Sequence, residues 1–313
     1  MLRYVVRRVL YAVPILVGVS LVTFLLFYAT ASPEQMARRN LSAKNPSPEQ
    51  IQEWLAQHGY DKPRGEQFRK HMGELFLLRF GKSDATGEDI WTRIRQGAGP
   101  SAAVASLIFV GSLLASVSIA LAVAYYRGTY IDHYGTLLCV LMMSVVYVVY
   151  IIAGQYLLGK VLRYFPLAGY QPGVAAWKFA LMPMIIGVVA GLGRSVRFYR
   201  TVMLEEMNQD YVRTARAKGV GERAVLFRHV LKNASIPILT STVLSIPLLF
   251  LGSILLESFF AIPGLGTLTV DAIEGQDFAV VRAMVFLGAI LYIVGSILTD
   301  ISYALVDPRI RLE

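Results

Sequence analysis

The chain has 313 residues, of which 55% are hydrophobic and 16% are charged, and its formal net charge is +9. Charged residues make up roughly 25% of an average soluble domain, and uncharged runs of about 18 residues or more indicate membrane-spanning helices, so an ordinary soluble domain is excluded. The single cysteine, Cys139, excludes a disulfide framework and a cysteine zinc site.

The first uncharged run covers residues 9–33 and follows Arg3, Arg7 and Arg8. A signal peptide with a cleavage site at Ala29–Ala31 is an alternative, but its apolar core would be only roughly 7–15 residues long. The pattern therefore predicts an uncleaved first transmembrane helix. With its N-terminal tail, this unit covers residues 1–31, and its basic start is expected in the cytoplasm.

Residues 32–99 differ from the rest of the chain because basic and acidic residues are nearly balanced and no long apolar run occurs. Ser47 to Gln50 form a capping box with proline at the first helical position, and Gly59 is a helix stop. We predict a small, partly helical, extracytoplasmic (periplasmic) insertion.

Four further uncharged runs follow, at 96–126, 134–159, 179–193 and 233–256, and a last apolar run at 283–306 is interrupted by Asp300 near its end. The run 179–193 is short, about 22 Å of helix against a bilayer core of about 30 Å. Lys178 and Arg194 can reach the interfaces from its ends. The sequence thus predicts an all-α membrane protein with six transmembrane helices, a core at 100–306, and an insertion after the first helix.

An even number of spans places both termini on one side of the membrane, and the basic residues decide which side. The segment 194–234 has nine basic and four acidic residues, and the tail 307–313 adds Arg309 and Arg311. Because cytoplasmic loops are rich in lysine and arginine, we expect both termini and the segment 199–234 in the cytoplasm.

An enzymatic role finds no support in the motifs. Gly81–Ser83 matches the end of a phosphate-binding loop, but the motif requires glycine at position 76, where Phe76 stands. The four histidines lie outside the predicted spans and lack the H-E-x-x-H spacing. We expect no catalytic residue, cofactor or metal on this chain, and no nucleic-acid partner.

Ionisable and polar residues at membrane depth are candidates for a transport pathway. Glu257 and Asp300 lie near span ends, where a cap or ion pair is an equally good interpretation. Between them, Pro263 and Gly264 begin a turn that is typical of either a re-entrant gate or an ordinary connector. Further pathway candidates, in the third span, are Tyr147, Tyr150 and Gln155.

The segment Tyr211–Ala234 is basic and amphipathic, with apolar i, i+4 pairs on both sides of Gly219 and Gly221. This pattern predicts two short helices joined by a tight glycine turn. Such a pair can lie on a membrane or in a groove of another protein. The small residues Ala215, Ala217 and Gly219 favour the protein groove.

These residues resemble a known family. DYVRTARAKG (210–219) and RHVLKNA (228–234) are similar to the coupling motif of type I ABC importer permeases, most closely the first permease subunit of dipeptide, oligopeptide and nickel importers. The likeness continues through 2–8, 59–63, 79–83, 257–266, 270–273 and 307–311.

The resemblance implies the six-helix type I ABC importer permease fold in a bacterial cytoplasmic (inner) membrane. It implies a second permease subunit, two ATPase subunits that bind ATP and Mg, and an extracytoplasmic solute-binding protein. The chain itself would form half of a di- or oligopeptide pathway. The implied ATPase-coupling residues are Tyr211, Arg213, Thr214, Ala215, Ala217, Lys218 and Gly219.

Some positions depart from the family pattern. The general motif begins Glu-Ala-Ala where this chain has Arg213–Ala215, its later Leu-Pro is Lys232–Asn233, and Ser144–Tyr150 lacks the proline and tryptophan of relatives. Import of nickel chelates, opines or modified peptides is therefore an alternative. A structural or channel-like membrane protein without an ATPase partner is the alternative from another class.

Overall fold

A computed structural model describes residues 2–30, 32–41, 46–171, 173, 176–250 and 254–306. The predicted tail 307–313 lies outside these residues. The helices are α1 (Leu2–Thr30), α2 (Pro33–Asn40), α3 (Pro48–His58), α4 (Arg64–Phe76), α5 (Ile90–Tyr125), α6 (Tyr130–Ser144), α7 (Tyr147–Gly154), α8 (Ala176–Met207), α9 (Asp210–Ala217), α10 (Glu222–Ala224), α11 (Leu231–Phe250), α12 (Ile254–Phe260), α13 (Leu265–Glu274) and α14 (Phe278–Val306). Two π-helical segments, Gln155–Val161 and Val225–Val230, extend α7 and α10.

The prediction of an all-helical membrane protein is confirmed, but the count of six transmembrane helices is not. Among the described residues, four helices are long and apolar enough to cross a membrane, and they lie in α1, α5, α8 and α14. Two further spans exist only if bent pairs are counted. One pair joins α6 to α7 and its π segment at 96°, and the other joins α12 to α13 at 85°.

The third predicted span is therefore not one straight helix. The helix α6 ends at Ser144, Val145 and Val146 are extended, and α7 begins at Tyr147. Uncharged composition alone gave no sign of this break, since β-branched residues fit an apolar helix and an extended pair equally well. The fifth predicted span corresponds to α11, a 20-residue helix that packs against α14 and α5.

The fourth predicted span is longer than its uncharged run. The helix α8 has 32 residues and continues through Arg194, Arg197 and Arg200 to Met207. Charge ends an apolar run without ending a helix, because long basic side chains extend to the interface while the backbone hydrogen bonds continue. Similarly, α5 starts at Ile90, so the boundary placed at residue 99 falls within a continuous helix.

The insertion begins with capped helices, as its sequence predicts. Ser47 and Gln50 form the expected capping box at α3, and Gly59 ends that helix with a φ of 73°. Ser32 and Gln35 form a second capping box at α2. Aromatic residues of the insertion then pack against the end of α1 and the start of α14. The buried members of this cluster are Phe24, Phe27, Met36, Ala37, Ile51, Trp54, Tyr60 and Phe278.

Polar contacts fasten the insertion to the start of α14. The Asp277 side chain accepts from the Val280 amide at 3.2 Å, the Asp84 amide at 3.1 Å and the Ser83 hydroxyl. The Asp84 side chain accepts from the Ala279 amide at 3.1 Å and from the Tyr60 hydroxyl at 2.9 Å. Both carboxylates thus bind free amides of one helix N-terminus. The tripeptide Gly81–Ser83 serves this attachment.

Several basic residues lie at the end of the bundle opposite the insertion. The side chain of Arg8 in α1 pairs with Asp300 in α14 at 2.8 Å. In the short loop before α6, Arg127 donates to Asn208 at 3.0 Å. Asp132, in the first turn of α6, pairs with Arg200 of α8 at 2.6 Å. Since α1, α5 and α14 each run between this end and the insertion, the loop 127–133 and the segment 194–234 share the end opposite the insertion.

Candidate functional site

The helix α9 carries the predicted coupling motif and is two-faced. Val212 is fully buried and Ala215 is nearly so, while the residues between them are exposed. The buried pair packs into a cluster, here called the coupling cluster, formed by α5, α6, α8, α9, the π segment Val225–Val230 and the start of α11. Its other buried members are Ala120, Leu121, Ala124, Cys139, Val196, Tyr199, Val202, Met203, Met207, Val225, Leu226, Val230, Ala234 and Ile238. Burying a valine contributes about 1.5–3 kcal/mol, so this face fixes α9 to the bundle.

The glycine turn after α9 is closed by an ion pair. Gly219 has a φ of 77°, a conformation that other residues adopt only at a cost, and a Cβ there would meet open space. Across the turn, Arg216 Nε and Nη2 donate to the two carboxylate oxygens of Glu222 at 2.7 and 3.2 Å. This two-point contact holds the chain ends of the turn together.

The second predicted short helix is not separate. After Gly221, α10 and the π segment Val225–Val230 run directly into α11. The helix–glycine–helix pattern is confirmed, but its second half is the beginning of a long helix of the bundle. Within the described residues 176–250, the glycine turn is therefore the only break between α9 and α11.

The outward surface of α9 and its turn presents most of the predicted coupling residues. Tyr211, Arg213, Thr214, Ala217, Lys218 and Gly219 are exposed. Ala215 is only 7% exposed and faces the coupling cluster, so it does not share this surface with Ala217 and Gly219. The Tyr211 hydroxyl donates to Glu206, and Arg213 lies 3.4 Å from Asp210. The surface is thus mixed in charge and protrudes at the end opposite the insertion.

At the other end of the bundle, Glu257 caps the helix that follows the Pro263–Gly264 turn. Its side chain is 1% exposed and accepts from the amides of Gly266 at 2.7 Å and Thr267 at 3.2 Å. Ser101 of α5 donates to Glu257 at 2.7 Å and accepts from the Leu265 amide at 2.8 Å. These two side chains therefore satisfy the first three amides of α13 from outside that helix.

The glycines of this turn are required for the close approach of Glu257. A Cβ on Gly264 would lie 2.2 Å from the carboxylate, and one on Gly266 would lie 2.8 Å from it. Real Cβ atoms do not approach oxygen so closely, so both positions exclude a side chain. The exposed Pro263 and the buried Gly264 line a cleft of about 340 Å³. Its lining also includes Arg93, Gln96 and Asp271.

The pathway candidates of the predicted third span differ in how they contact the Pro263–Gly264 turn. Gln155 donates to the carbonyls of Phe259 at 2.9 Å and Leu167 at 3.2 Å, which places it beside the turn. The Tyr150 hydroxyl donates to the Met142 carbonyl at 2.7 Å and so spans the bend before α7. Tyr147 packs against the buried cluster that includes Phe260 and Ile262. Asp300 lies at the opposite end of the bundle, next to Arg8.

Sequence reasoning missed Ser101 and the pair Asp132–Arg200. Ser101 stands in an apolar run, and no local pattern shows that it meets a turn more than 150 residues away. Asp132 and Arg200 each lie at a predicted loop or span end, and opposite charges at neighbouring span ends were the available signal. In the described residues, no group of three or more His, Cys, Asp or Glu side chains could hold a metal ion.

Comparison with known proteins identifies the family. The family model "binding-protein-dependent transport system inner membrane component" matches residues 116–312, and the model of the N-terminal part of such membrane components matches residues 1–89. The chain is 30% identical over 325 residues to the oligopeptide transport system permease protein AppB of Bacillus subtilis, covering 99% of this chain and 100% of that protein.

Two further relatives are similar over almost their whole length. A Brucella abortus protein named as a peptide transport system permease is 32% identical over 314 residues, covering 99% of each chain. A Sinorhizobium fredii protein named as a peptide ABC transporter permease is 31% identical over 314 residues, covering 98% of this chain and 99% of that protein. The chain belongs to the family of inner membrane components of binding-protein-dependent transport systems.

Proposed function

We propose that this chain is a permease subunit of an ATP-driven importer of di- or oligopeptides. The relatives named above are peptide transport permeases, and the likeness extends over nearly the whole chain. In this proposal the chain supplies half of the pathway and binds no nucleotide. Two partner ATPases bind ATP and Mg, a second permease completes the pathway, and a solute-binding protein delivers the peptide from the side of the insertion.

The observation that carries the proposal is the two-faced construction of α9. Its inner face is fixed in the coupling cluster, whereas Tyr211, Arg213, Thr214 and Lys218 point outward. A helix that is fixed on one side and exposed on the other can transmit a movement of a partner to the bundle. We assign the outward surface to contact with an ATPase subunit on the cytoplasmic side, where both termini also lie.

The outer turn around Pro263 and Gly264 is assigned as a gate at the other end of the pathway. It is linked to α5 through Ser101 and to the third span through Gln155. Movement of either element therefore changes the position of the turn. When the ATPases approach each other, α9 moves, α5 and α11 follow, and the pathway opens towards the binding protein.

The test is a pair of glycine substitutions that differ in backbone conformation. Gly219 has a φ of 77° and Gly221 has a φ of −61°, and a Cβ at either position meets open space. Gly219→Ala introduces a strain of about 1–2 kcal/mol in the turn, whereas Gly221→Ala introduces none. Gly219→Trp adds bulk to the outward surface.

Peptide uptake is measured in vesicles that contain the whole importer, together with ATP hydrolysis. We expect Gly219→Trp to abolish uptake while the ATPase subunits still hydrolyse ATP, and Gly221→Ala to leave uptake unchanged. Full uptake with Gly219→Trp contradicts the coupling assignment. Normal uptake of another solute class, with none of peptide, contradicts the peptide assignment and leaves the coupling assignment intact.

A further inference from the structure

A small cavity lies where the insertion meets the first and last long helices. Its wall includes Ser20 of α1, His71 of α4 and Arg282 of α14, among apolar side chains such as Phe24 and Phe278. The space open to the centre of a water molecule is about 10 Å³, which corresponds to a single water. Thr23 also lines the cavity, but Ser20, His71 and Arg282 differ from it because each has a buried polar atom without a hydrogen-bond partner in the described residues.

Ser20 is 8% exposed, and its hydroxyl has no hydrogen-bond partner among the described residues. A serine or threonine in a membrane helix usually donates to the carbonyl four residues earlier. Thr23, one turn further along α1, does so, with its hydroxyl 2.8 Å from the Val19 carbonyl. The Ser20 hydroxyl makes no such bond and so remains free to bind a group in the cavity.

His71 shows the same contrast with other helical histidines. Nδ1 of His58 lies 2.8 Å from the Trp54 carbonyl, and Nδ1 of His133 lies 2.9 Å from the Thr129 carbonyl. Nδ1 of His71 is buried and has no partner within the described chain. The His71 ring is packed edge-on against Phe24. Aromatic contacts thus fix its orientation, while a nitrogen stays unsatisfied.

Arg282 supplies the third unsatisfied atom. Its Nη2 pairs with Glu74 at 3.3 Å, but its Nη1 is buried and has no partner in the part of the chain described. A buried donor without a partner costs about 1–3 kcal/mol, and a charged one costs more. Three unsatisfied polar atoms at one cavity would together destabilise the folded state, unless a bound molecule forms hydrogen bonds with them.

The hydrogen-bonding capacities of the three atoms decide which molecule fits. Glu74 pairs with Arg282 at 3.3 Å and also lies 3.9 Å from Lys70, so two basic residues share one carboxylate and charge does not decide between water and an anion. Burial, together with the charges of Arg282 and Lys70, lowers the pKa of His71 from 6.5 to about 3, so its ring is neutral near pH 7. Arg282 can only donate, a neutral imidazole nitrogen can accept, and Ser20 can do either. Water is the small molecule that both donates and accepts.

We propose that one ordered water occupies this cavity and bridges Ser20 Oγ, His71 Nδ1 and Arg282 Nη1. The water accepts from Arg282, donates to His71 and forms its third hydrogen bond with Ser20, the usual number for a buried water. It joins the insertion to α1 and α14 at one point. The insertion is then held to the bundle there, in addition to the attachment of Asp84 and Asp277.

An experimental structure of the assembled importer, at a resolution where ordered waters are visible, tests the proposal directly. We expect one isolated density peak about 2.7–3.2 Å from all three atoms. An empty cavity, or one closed by direct contact among the three side chains, overturns the proposal. So does a bromide peak at this position after chloride has been exchanged for bromide, because that outcome identifies an anion site.

A pair of substitutions tests the bridge without imaging. Ser20→Ala and His71→Leu each remove one partner of the water, so after the first change the second has less left to remove. We expect the double variant of the whole importer to lose clearly less apparent melting temperature than the sum of the single losses. The control is Ser241→Ala, which removes a hydroxyl that donates to the Ile238 carbonyl at 2.9 Å. Its loss should add to that of His71→Leu, and equally additive losses for Ser20→Ala and His71→Leu contradict the bridge.

Discussion

The outer turn and the coupling segment lie at opposite ends of the bundle and are held in opposite ways. Around the turn, the buried side chains of Glu257 and Ser101 satisfy the amides of α13. In the coupling segment, apolar residues such as Val212 fix the inner face, and the charged residues face outward. A substitution in a buried polar network leaves hydrogen-bonding groups unsatisfied and so lowers stability. Where a helix is held by its apolar face, residues on the exposed face can change with little effect on stability.

The largest effect is expected at the outer turn. Glu257→Ala leaves the amides of Gly266 and Thr267 and the Ser101 hydroxyl without their acceptor, at a cost of about 1–3 kcal/mol for each buried group. We expect little folded protein in membranes and a large fall in the apparent melting temperature of what remains. Glu257→Gln keeps one accepting oxygen and should be milder. If Glu257→Ala melts like the wild type, the cap does not hold the turn.

The inner face of α9 should respond next. Val212→Ala removes two methyl groups from a fully buried site, and we expect a loss of about 1–3 kcal/mol in unfolding free energy with reduced uptake. Arg213→Ala is the matched change on the exposed neighbour and should reduce uptake without lowering the melting temperature. If Val212→Ala and Arg213→Ala lower the melting temperature equally, the buried face of α9 is not the one that holds the helix in place.

A smaller effect is expected where the insertion meets α14. Asp84→Ala removes the acceptor of the Ala279 amide and the Tyr60 hydroxyl, which we expect to cost about 1–2 kcal/mol. Hydrogen exchange should rise in residues 60–86 and remain unchanged in α9. Asp61→Ala, at an exposed carboxylate of the same segment, is the control. Unchanged exchange in residues 60–86 contradicts a role for Asp84 in the attachment.

The smallest effect is a pH dependence confined to the insertion. The pKa of His71 is lowered from 6.5 to about 3, mainly by burial. Between these values the unfolded chain binds a proton that the folded chain does not, so stability contributed by neutral His71 is present above pH 6.5 and is lost progressively as the pH falls. Melting temperatures at pH 7 and pH 5 should differ more for the wild type than for His71→Leu. Equal differences refute the buried neutral histidine.

Local patterns predicted the parts of this fold that depend on neighbours in sequence. The capping box at Ser47, the stop at Gly59 and the glycine turn at Gly219 are confirmed because each requires only a few adjacent residues. The bend before Tyr147 was not predictable, because apolar composition is compatible with a straight or a broken helix. A hydropathy pattern records burial in lipid and contains no information on backbone direction.

The candidate site divides in the same way. Amphipathic spacing located α9, and the family resemblance implied its outward residues. Neither showed that Ala215 faces inward, because alanine is compatible with either face. Glu257 was singled out because it is charged at the end of an apolar run. Its partner Ser101 remained invisible, since the contact joins residues far apart in the chain. Polar contacts between residues far apart in the chain were therefore the least predictable part of the candidate site.

The helix α5 connects the insertion end of the bundle directly to the end that holds the coupling cluster. Its 36 residues extend about 54 Å, so its start lies in the insertion and its end in the coupling cluster. Pro100, next to Ser101, lacks the N–H that would continue the backbone hydrogen bonds, so the helix lacks one of its bonds at this position. The longer part of α5, from Pro100 to Tyr125, extends to the end of the bundle that holds the coupling cluster. If α5 bends at Pro100, we expect a large displacement of the far end to produce only a small displacement of the turn at Gly264, which Ser101 contacts.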